Sequence, residues 1–209
     1  MSKIKAVILN ASLKQSDEPS NTAELIKKIT DIFTKEKVEY EMVRLADYNI
    51  KYGISDNLGK GDEWPEIFRK IKEANILILG TPLWLGEKSS LATLAIERIY
   101  GGAGITNDKG QSIYYNKVGG VVVTGNEDGA KTAARSVLYA LSHVGFVIPP
   151  NVDTYWLGEA GPGPSYMEAD GGTNEFTDSH ATMEAYNLIH LARMLKDHPI
   201  PPQGNVVDS

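Results

Sequence analysis

The sequence predicts an α/β fold in which helices cover a parallel sheet. Short apolar runs alternate along the chain with segments whose apolar residues recur at helical spacing, which is the pattern of strand–helix repeats. The run Val121-Val122-Val123 indicates a strand buried on both faces, as in parallel sheets. The 209 residues are enough for one such domain and show no internal repeat, so we expect residues 1–198 to form a single domain.

Five strands are expected, four of them at clear apolar runs. These four runs are residues 4–10, 38–45, 76–80 and 118–124. The fifth strand is either 146–148 or 152–157, because both are short runs of apolar or aromatic residues. The sequence alone leaves the order of the strands open, although ligands in open α/β sheets bind beyond the carboxyl ends of the strands.

Helical spacing predicts five helices. The first begins at Asn21, and the others span residues 63–74, residues 86–100, a segment from about 128 to a glycine cap at 145, and residues 178–196. The apolar face of the first helix comprises Leu25, Ile26, Ile29, Ile32 and Phe33. Residues 101–116 and 158–174 are rich in glycine and are expected to be loops, and residues 199–209 are expected to be a disordered tail.

Composition argues against several classes of function. The formal net charge of −6 disfavours nucleic acid as a partner. The absence of cysteine excludes disulfides, thiolate nucleophiles and sites in which cysteine binds zinc or an iron–sulfur cluster. The four histidines have no metal-binding spacing, so no metal site is expected. No apolar stretch is long enough to span a bilayer and no signal peptide is evident, so we expect a cytoplasmic protein.

The loop after the first strand carries the strongest functional signal. Asn10-Ala11-Ser12-Leu13-Lys14 ends the strand, and Ser20-Asn21-Thr22 opens a helix. A helix N-terminus has free N–H groups and a partial positive charge, so a phosphate site is expected there. Neither G-x-G-x-x-G after this strand nor G-x-x-x-x-G-K-[ST] is present, so the pattern favours flavin mononucleotide (FMN). The candidate phosphate ligands are Ser12, Lys14, Ser20, Asn21 and Thr22. The alternative is that Ser20 or Asn21 only caps the helix and Lys14 is a solvated charge.

Two further loops follow the third and fourth strands. The second, Thr81-Pro82-Leu83-Trp84-Leu85-Gly86, suits one side of a flat ring, unless Trp84 simply packs under the loop. The third, Thr124-Gly125-Asn126-Glu127-Asp128-Gly129, would bring amides and carbonyls to the polar edge of the ring, unless it is only a turn with Asp128 as helix cap. The candidate flavin-binding residues here are Pro82, Leu83, Trp84, Leu85, Gly86, Thr124, Gly125, Asn126, Glu127, Asp128 and Gly129.

The chain resembles the flavodoxin-like NAD(P)H-dependent FMN reductase family, which includes quinone and azo reductases. Residues 10–14 with Ser20-Asn21-Thr22 are similar to its phosphate loop, G-S-x-R…S/G-N-T-x-x-L, and residues 81–86 to its T-P-x-Y-W-G segment. The resemblance covers roughly residues 4–145 and implies a three-layer flavodoxin-like fold with a five-stranded parallel sheet in the order 2-1-3-4-5. Asn10 stands where the family has glycine, and residues 15–19 lengthen the phosphate loop.

The resemblance also implies an activity. A bound FMN would take a hydride from NADH or NADPH and pass electrons to a flavin, a quinone or a similar small molecule, so no dedicated catalytic acid or base is expected. Tyr155 and Trp156 are candidates to cover the ring, with core packing as the alternative. Family members usually assemble, so a homodimer or homotetramer is expected. Two other functions stay open: a flavodoxin-type electron carrier, and a flavin-free ligand-sensing or interaction protein.

Overall fold

The computed structural model describes residues 3–161 and 163–207. Its main sheet has five parallel strands in the order β2-β1-β3-β5-β6, and a short strand, β4, pairs antiparallel with the end of β3. The strands are β1 Lys5–Asn10, β2 Glu39–Arg44, β3 Ile76–Trp84, β4 Glu87–Lys88, β5 Val118–Gly125 and β6 Asp153–Leu157. The predicted three-layer fold and strand order are confirmed, with β5 and β6 as the fourth and fifth parallel strands.

Five α-helices cover the two faces of this sheet within the described residues. They are α1 Asn21–Lys35, α2 Trp64–Glu73, α3 Ser90–Tyr100, α4 Ala130–Val144 and α5 Glu175–Asp197. The strand side chains alternate between two cores. Val7 and Leu9 of β1 pack on the side of α2, α3 and α4, whereas Ala6 and Ile8 pack on the side of α1 and α5.

The structure corrects the expected end of the third strand and the start of the third helix. β3 continues through Trp84 because Thr81 and Pro82 pair with β5 beyond the expected end at Gly80. β1 ends opposite Gly80, so the other edge of β3 is unpaired there and Pro82, which has no N–H, is tolerated. The residues expected to open the helix form a turn and β4 instead, and α3 begins at Ser90. The fifth strand is the second of the two expected alternatives.

A buried ion pair anchors the long connection between β2 and α2. Arg98 of α3 donates from Nη1 and Nη2 to the two carboxylate oxygens of Asp62 at 2.9 and 2.6 Å, and both side chains have 0% exposure. Arg98 also donates to the carbonyls of Lys51 and Ser55, each at 2.8 Å. The guanidinium holds the pKa of Asp62 well below its usual range. The pair therefore ties residues 51–62 to α3.

Residues 199–207 lie against the loop that precedes β5. Gln111 Nε2 donates to the carbonyl of Ile200 and to Asn205 Oδ1 at 3.2 and 3.0 Å, and Val207 N donates to the Gly110 carbonyl at 2.8 Å. The last two residues of the expected tail lie outside the described residues. The disorder expected of the tail and the single-domain division stay predictions. None of the helices in the described ranges has the length and apolar character needed to cross a membrane.

Candidate functional site

A cleft of about 460 Å³ opens beyond the carboxyl ends of β1, β3 and β5. This is where open α/β sheets bind ligands, and the volume lies within the range of small-molecule sites. The three predicted loops meet there. The predicted residues that line the cleft are Ser12, Lys14, Ser20, Asn21, Thr22, Pro82, Leu83, Trp84, Thr124, Gly125, Asn126 and Glu127. The predicted residues Leu85, Gly86, Asp128 and Gly129 do not line it.

The first loop is organised by the buried side chain of Asn10. Its Nδ2 donates to Ser20 Oγ at 3.3 Å, and its Oδ1 accepts from Ser12 N at 2.9 Å. Ser20 Oγ also accepts from Ala23 N at 3.1 Å, so Ser20 caps α1 while it lines the cleft. Ser20 therefore caps α1, and the cap itself places the hydroxyl at the cleft, so capping and a role in the phosphate site are compatible at this residue. The amide at position 10 does what a glycine cannot, because it links both ends of the loop.

The lengthened part of this loop is held to the end of β2. Arg44 Nη1 donates to the carbonyls of Lys14 and Gln15, both at 2.9 Å. Asp47 Oδ1 accepts from Ser16 N at 2.8 Å. These bonds fix the backbone of residues 14–16. Within the insertion Pro19 lines the cleft, and Ser12 and Lys14 stay in its lining.

Buried hydroxyls join the three loops to one another. Thr22 Oγ1 and Thr124 Oγ1 are 2.7 Å apart, which links the first helix to the end of β5. Ser89 Oγ donates to the Ala11 carbonyl at 2.7 Å, and Ser89 N donates to Thr81 Oγ1 at 3.0 Å. All four hydroxyl residues are at most 4% exposed. Because buried hydrogen bonds of this kind fix side-chain positions, Thr22 and Thr124, which line the cleft, are held in place before any ligand binds.

The second loop is a β-hairpin whose tip is backbone-strained. Leu85 and Gly86 form the turn between β3 and β4, with φ of +52° and +78°. Two positive φ values are typical of a type I′ turn, which favours Asn-Gly, and a leucine there is unusual. Leu85 is 91% exposed and Trp84 is 55% exposed. A side chain at Gly129 would lie 2.3 Å from the Gly86 carbonyl oxygen, so the turn packs directly on the third loop.

A fourth wall comes from residues 163–168, which the sequence did not predict as part of the site. Asn126 Nδ2 donates to the carbonyls of Gly163 and Pro164, both at 2.8 Å, and Met167 N donates to Asn21 Oδ1 at 3.0 Å. The ring of the buried Tyr166 packs edge-on against Trp156, with 5.4 Å between ring centroids. Both rings line the cleft, whereas Tyr155 does not.

One sequence signal could have identified this wall. Ser165 and Glu168 have the spacing of a capping box, and Glu168 Oε2 accepts from Ser165 N and Oγ at 2.9 and 2.8 Å. These bonds lower the pKa of the Glu168 carboxyl. The carboxylate lines the cleft but is engaged in holding this turn together.

The donors of the cleft fit a flavin phosphate. Ser12, Ser20 and Thr22 present hydroxyls beside the first turn of α1, whose N–H groups have no partner within the helix. α1 comes close enough for this because Gly80 has no side chain, as a Cβ there would lie 2.6 Å from Ile26 Cδ1. At the other end, Leu83 and the half-exposed Trp84 supply an apolar wall of the kind that flat rings pack on.

The family model for NADPH-dependent FMN reductase matches residues 4–158. The chain belongs to this family. A Streptomyces davaonensis protein, 8-demethyl-8-aminoriboflavin-5'-phosphate synthase, is 38% identical over 205 residues, which cover 94% of this chain and 80% of that protein. A Mycobacterium bovis protein named divalent metal cation transporter MntH is 41% identical over 199 residues, which are 92% of this chain and 29% of that protein. The chain thus spans less than a third of the second relative.

Two solved structures superpose on this chain. RosB with its bound intermediate, 8-demethyl-8-formylriboflavin-5'-phosphate, superposes with a TM-score of 0.88 at 38% identity, covering 94% of this chain and 82% of RosB. The apo form of the NADH:FMN oxidoreductase EMOB superposes with a TM-score of 0.64 at 13% identity, with 97% of each chain covered. The second likeness shows the fold alone. The chain is therefore a flavodoxin-like member of a flavin oxidoreductase family.

Proposed function

We propose that the protein binds FMN in this cleft and transfers a hydride from NADH or NADPH, through the flavin, to a small-molecule acceptor such as a flavin or a quinone. The observation that carries the proposal is the set of hydroxyls, from Ser12, Ser20 and Thr22, gathered at the N-terminus of α1 beside an apolar wall. Membership of the FMN reductase family supports the same chemistry.

Each side of the cleft has a separate task. The hydroxyls of Ser12 and Thr22 donate to the phosphate, with the first-turn N–H groups of α1 and the charge of Lys14 adding to the attraction. Leu83 and Trp84 hold one side of the ring system and exclude water from it. FMN supplies the hydride-accepting centre when bound. The protein's residues bind and orient it, and none is proposed as a catalytic acid or base.

We further propose that the protein is a cytoplasmic homodimer or homotetramer in which a second subunit completes the wall of the flavin site. An apolar groove lined by Ile54, Tyr100 and Tyr139, which are 63%, 51% and 70% exposed, supports self-association. That nucleic acid is not a partner stays a prediction, made from the net charge of −6.

Anaerobic reduction of the FMN-loaded protein tests the proposal. The protein is incubated with FMN and desalted, its absorbance spectrum is recorded, and NADH or NADPH is then added without oxygen. Retained yellow colour that bleaches rapidly supports the reductase. Retained colour that does not bleach supports an electron carrier. Complete loss of flavin on desalting would contradict the proposal and favour a flavin-free sensor or interaction protein.

A second candidate function is chemistry on the flavin itself. It is supported by the similarity to 8-demethyl-8-aminoriboflavin-5'-phosphate synthase, which extends over 94% of this chain and thus past residue 158, where the family match ends. FMN would then be a substrate that leaves the cleft altered. Incubation with excess FMN and an amine donor in air, followed by mass spectrometry of the recovered flavin, separates the two. An unchanged mass supports the reductase, and an altered mass supports the second candidate.

A further inference from the structure

Glu127 joins two of the loops that build the cleft. Its Oε1 accepts from Leu85 N at 3.2 Å, so a side chain of the third loop holds the tip of the β3–β4 hairpin. Glu127 lines the cleft and is partly buried. In a two-residue hairpin the N–H of the first turn residue is not part of the strand pairing, and here it is satisfied by a carboxylate.

The bond from Leu85 N to Glu127 holds a turn whose backbone is strained and whose side chain is exposed. Leu85 has a φ of +52°, a left-handed conformation that is unfavourable for a residue with a side chain. Its side chain is 91% exposed and gives the turn little packing in return. Elsewhere the hairpin is held through Lys88, whose Nζ donates to Ser136 Oγ at 2.7 Å, and by the contact between Gly86 and Gly129. The carboxylate of Glu127 is thus a hydrogen-bonding brace at the tip itself.

The charge of Glu127 is distinct among the cleft-lining groups of the described chain. Lys14, Glu127 and Glu168 are the charged residues that line it. Lys14 lies on the phosphate loop, and Glu168 lies on the fourth wall, where Ser165 holds its carboxylate. Glu127 therefore places a negative charge next to the hairpin of Trp84, at the end where the ring of a flavin would bind. Reduction of a flavin adds electron density to its ring, and a nearby negative charge disfavours that change.

We propose, on the basis of the proposed function, that Glu127 is a positioning residue: it holds the β3–β4 hairpin beside the flavin and lowers the reduction potential of the bound FMN. Two substitutions distinguish these roles. Glu127→Gln keeps an oxygen that can accept from Leu85 N but removes the charge. Glu127→Ala removes both the acceptor and the charge.

The test is the midpoint potential of FMN bound to the wild type, to Glu127→Gln and to Glu127→Ala, each measured beside its FMN dissociation constant. Glu87→Gln is the matched control, because it removes a carboxylate from the same hairpin that does not line the cleft. We expect the potential to rise in both Glu127 variants by a tenfold change in the reduced-to-oxidised ratio, about 30 mV for a two-electron couple. The control is expected to match the wild type.

The FMN affinity and the tryptophan emission of the two variants distinguish the hydrogen bond to Leu85 N from the effect of the negative charge. Glu127→Gln should bind FMN within twofold of wild type, whereas Glu127→Ala should bind more weakly and shift the emission of Trp84, which is 55% exposed while Trp64 and Trp156 are buried. A Glu127→Gln potential equal to that of the wild type would overturn the redox role. A Glu127→Ala emission and affinity equal to those of wild type would overturn the brace. Failure of the wild type to retain FMN would instead overturn the proposed function.

Discussion

Replacing Asp62 with asparagine should destabilise the protein strongly, although the change conserves volume. The side chains of Asp62 and Arg98 are both 0% exposed, so the variant leaves a buried guanidinium without its counter-ion. Removing one partner of a buried pair costs about 3–5 kcal/mol. The new amide group would also face donors, since Asp62 Oδ2 accepts from Leu58 N at 2.9 Å and from Arg98 Nη2 at 2.6 Å. For a chain of this size, about 2–4 °C per kcal/mol gives a fall in Tm of about 6–20 °C.

Thermal melts of Asp62→Asn followed by circular dichroism measure this loss. Glu39→Gln is the control, because it removes a carboxylate from an ion pair with Lys3 whose side chains are 72% and 55% exposed. The depressed pKa of Asp62 means that its stabilisation is present above the ordinary value of 3.8 and is lost as the pH falls further. The difference in Tm between the wild type and Asp62→Asn should therefore become smaller at acidic pH. A Tm for Asp62→Asn within 2 °C of the control near pH 7, roughly the effect of 1 kcal/mol, would refute the reasoning.

Three further substitutions test other parts of the structure. Burial raises the pKa of Glu184 from 4.5 to about 8, so between these pH values the folded state keeps a proton that the unfolded state has lost, and the stability of the protein falls as the pH rises. Glu184→Gln has no such proton to lose, so it should remove that fall and raise Tm at pH 8. Thermal melts from pH 5 to 8 measure both effects. Leu85→Asn should relieve strain of about 1–2 kcal/mol at a φ of +52° and raise Tm by a few degrees, and an unchanged or lower Tm would show that the turn is not strained. Thr22→Ala should weaken FMN binding by about 1 kcal/mol or more in a fluorescence titration, as should Ser12→Ala, and unchanged affinity in both would remove them from the phosphate site.

The sequence was sufficient to predict the sheet and the position of the cleft. The middle of β5, Val121-Val122-Val123, is a continuous apolar run, and such a run is visible directly in the local sequence. Loops at the carboxyl ends of parallel strands must meet at one edge, which brought Ser12, Trp84 and Thr124 together. The strand order came from the resemblance to a family, because periodicity does not encode which strands are neighbours.

The sequence missed what depends on long-range pairing. Thr81 and Pro82 look like a loop, but β5 extends β3 through them, and a proline is tolerated because the neighbouring strand has ended. Residues 163–168 carry glycine and proline and resemble a solvent loop, yet Asn126 and Asn21 bind them over the cleft. Such contacts join residues far apart in sequence, and only the folded chain shows them.

The affinity of the protein for FMN compared with riboflavin tests the central claim most directly, because the two ligands differ only by the phosphate. Both are titrated into the protein and followed by the quenching of flavin fluorescence. Hydrogen bonds to a charged group contribute about 1.5–3 kcal/mol each, so FMN should bind at least tenfold more tightly if the hydroxyls at the N-terminus of α1 hold the phosphate. Equal affinity for the two flavins would contradict the account.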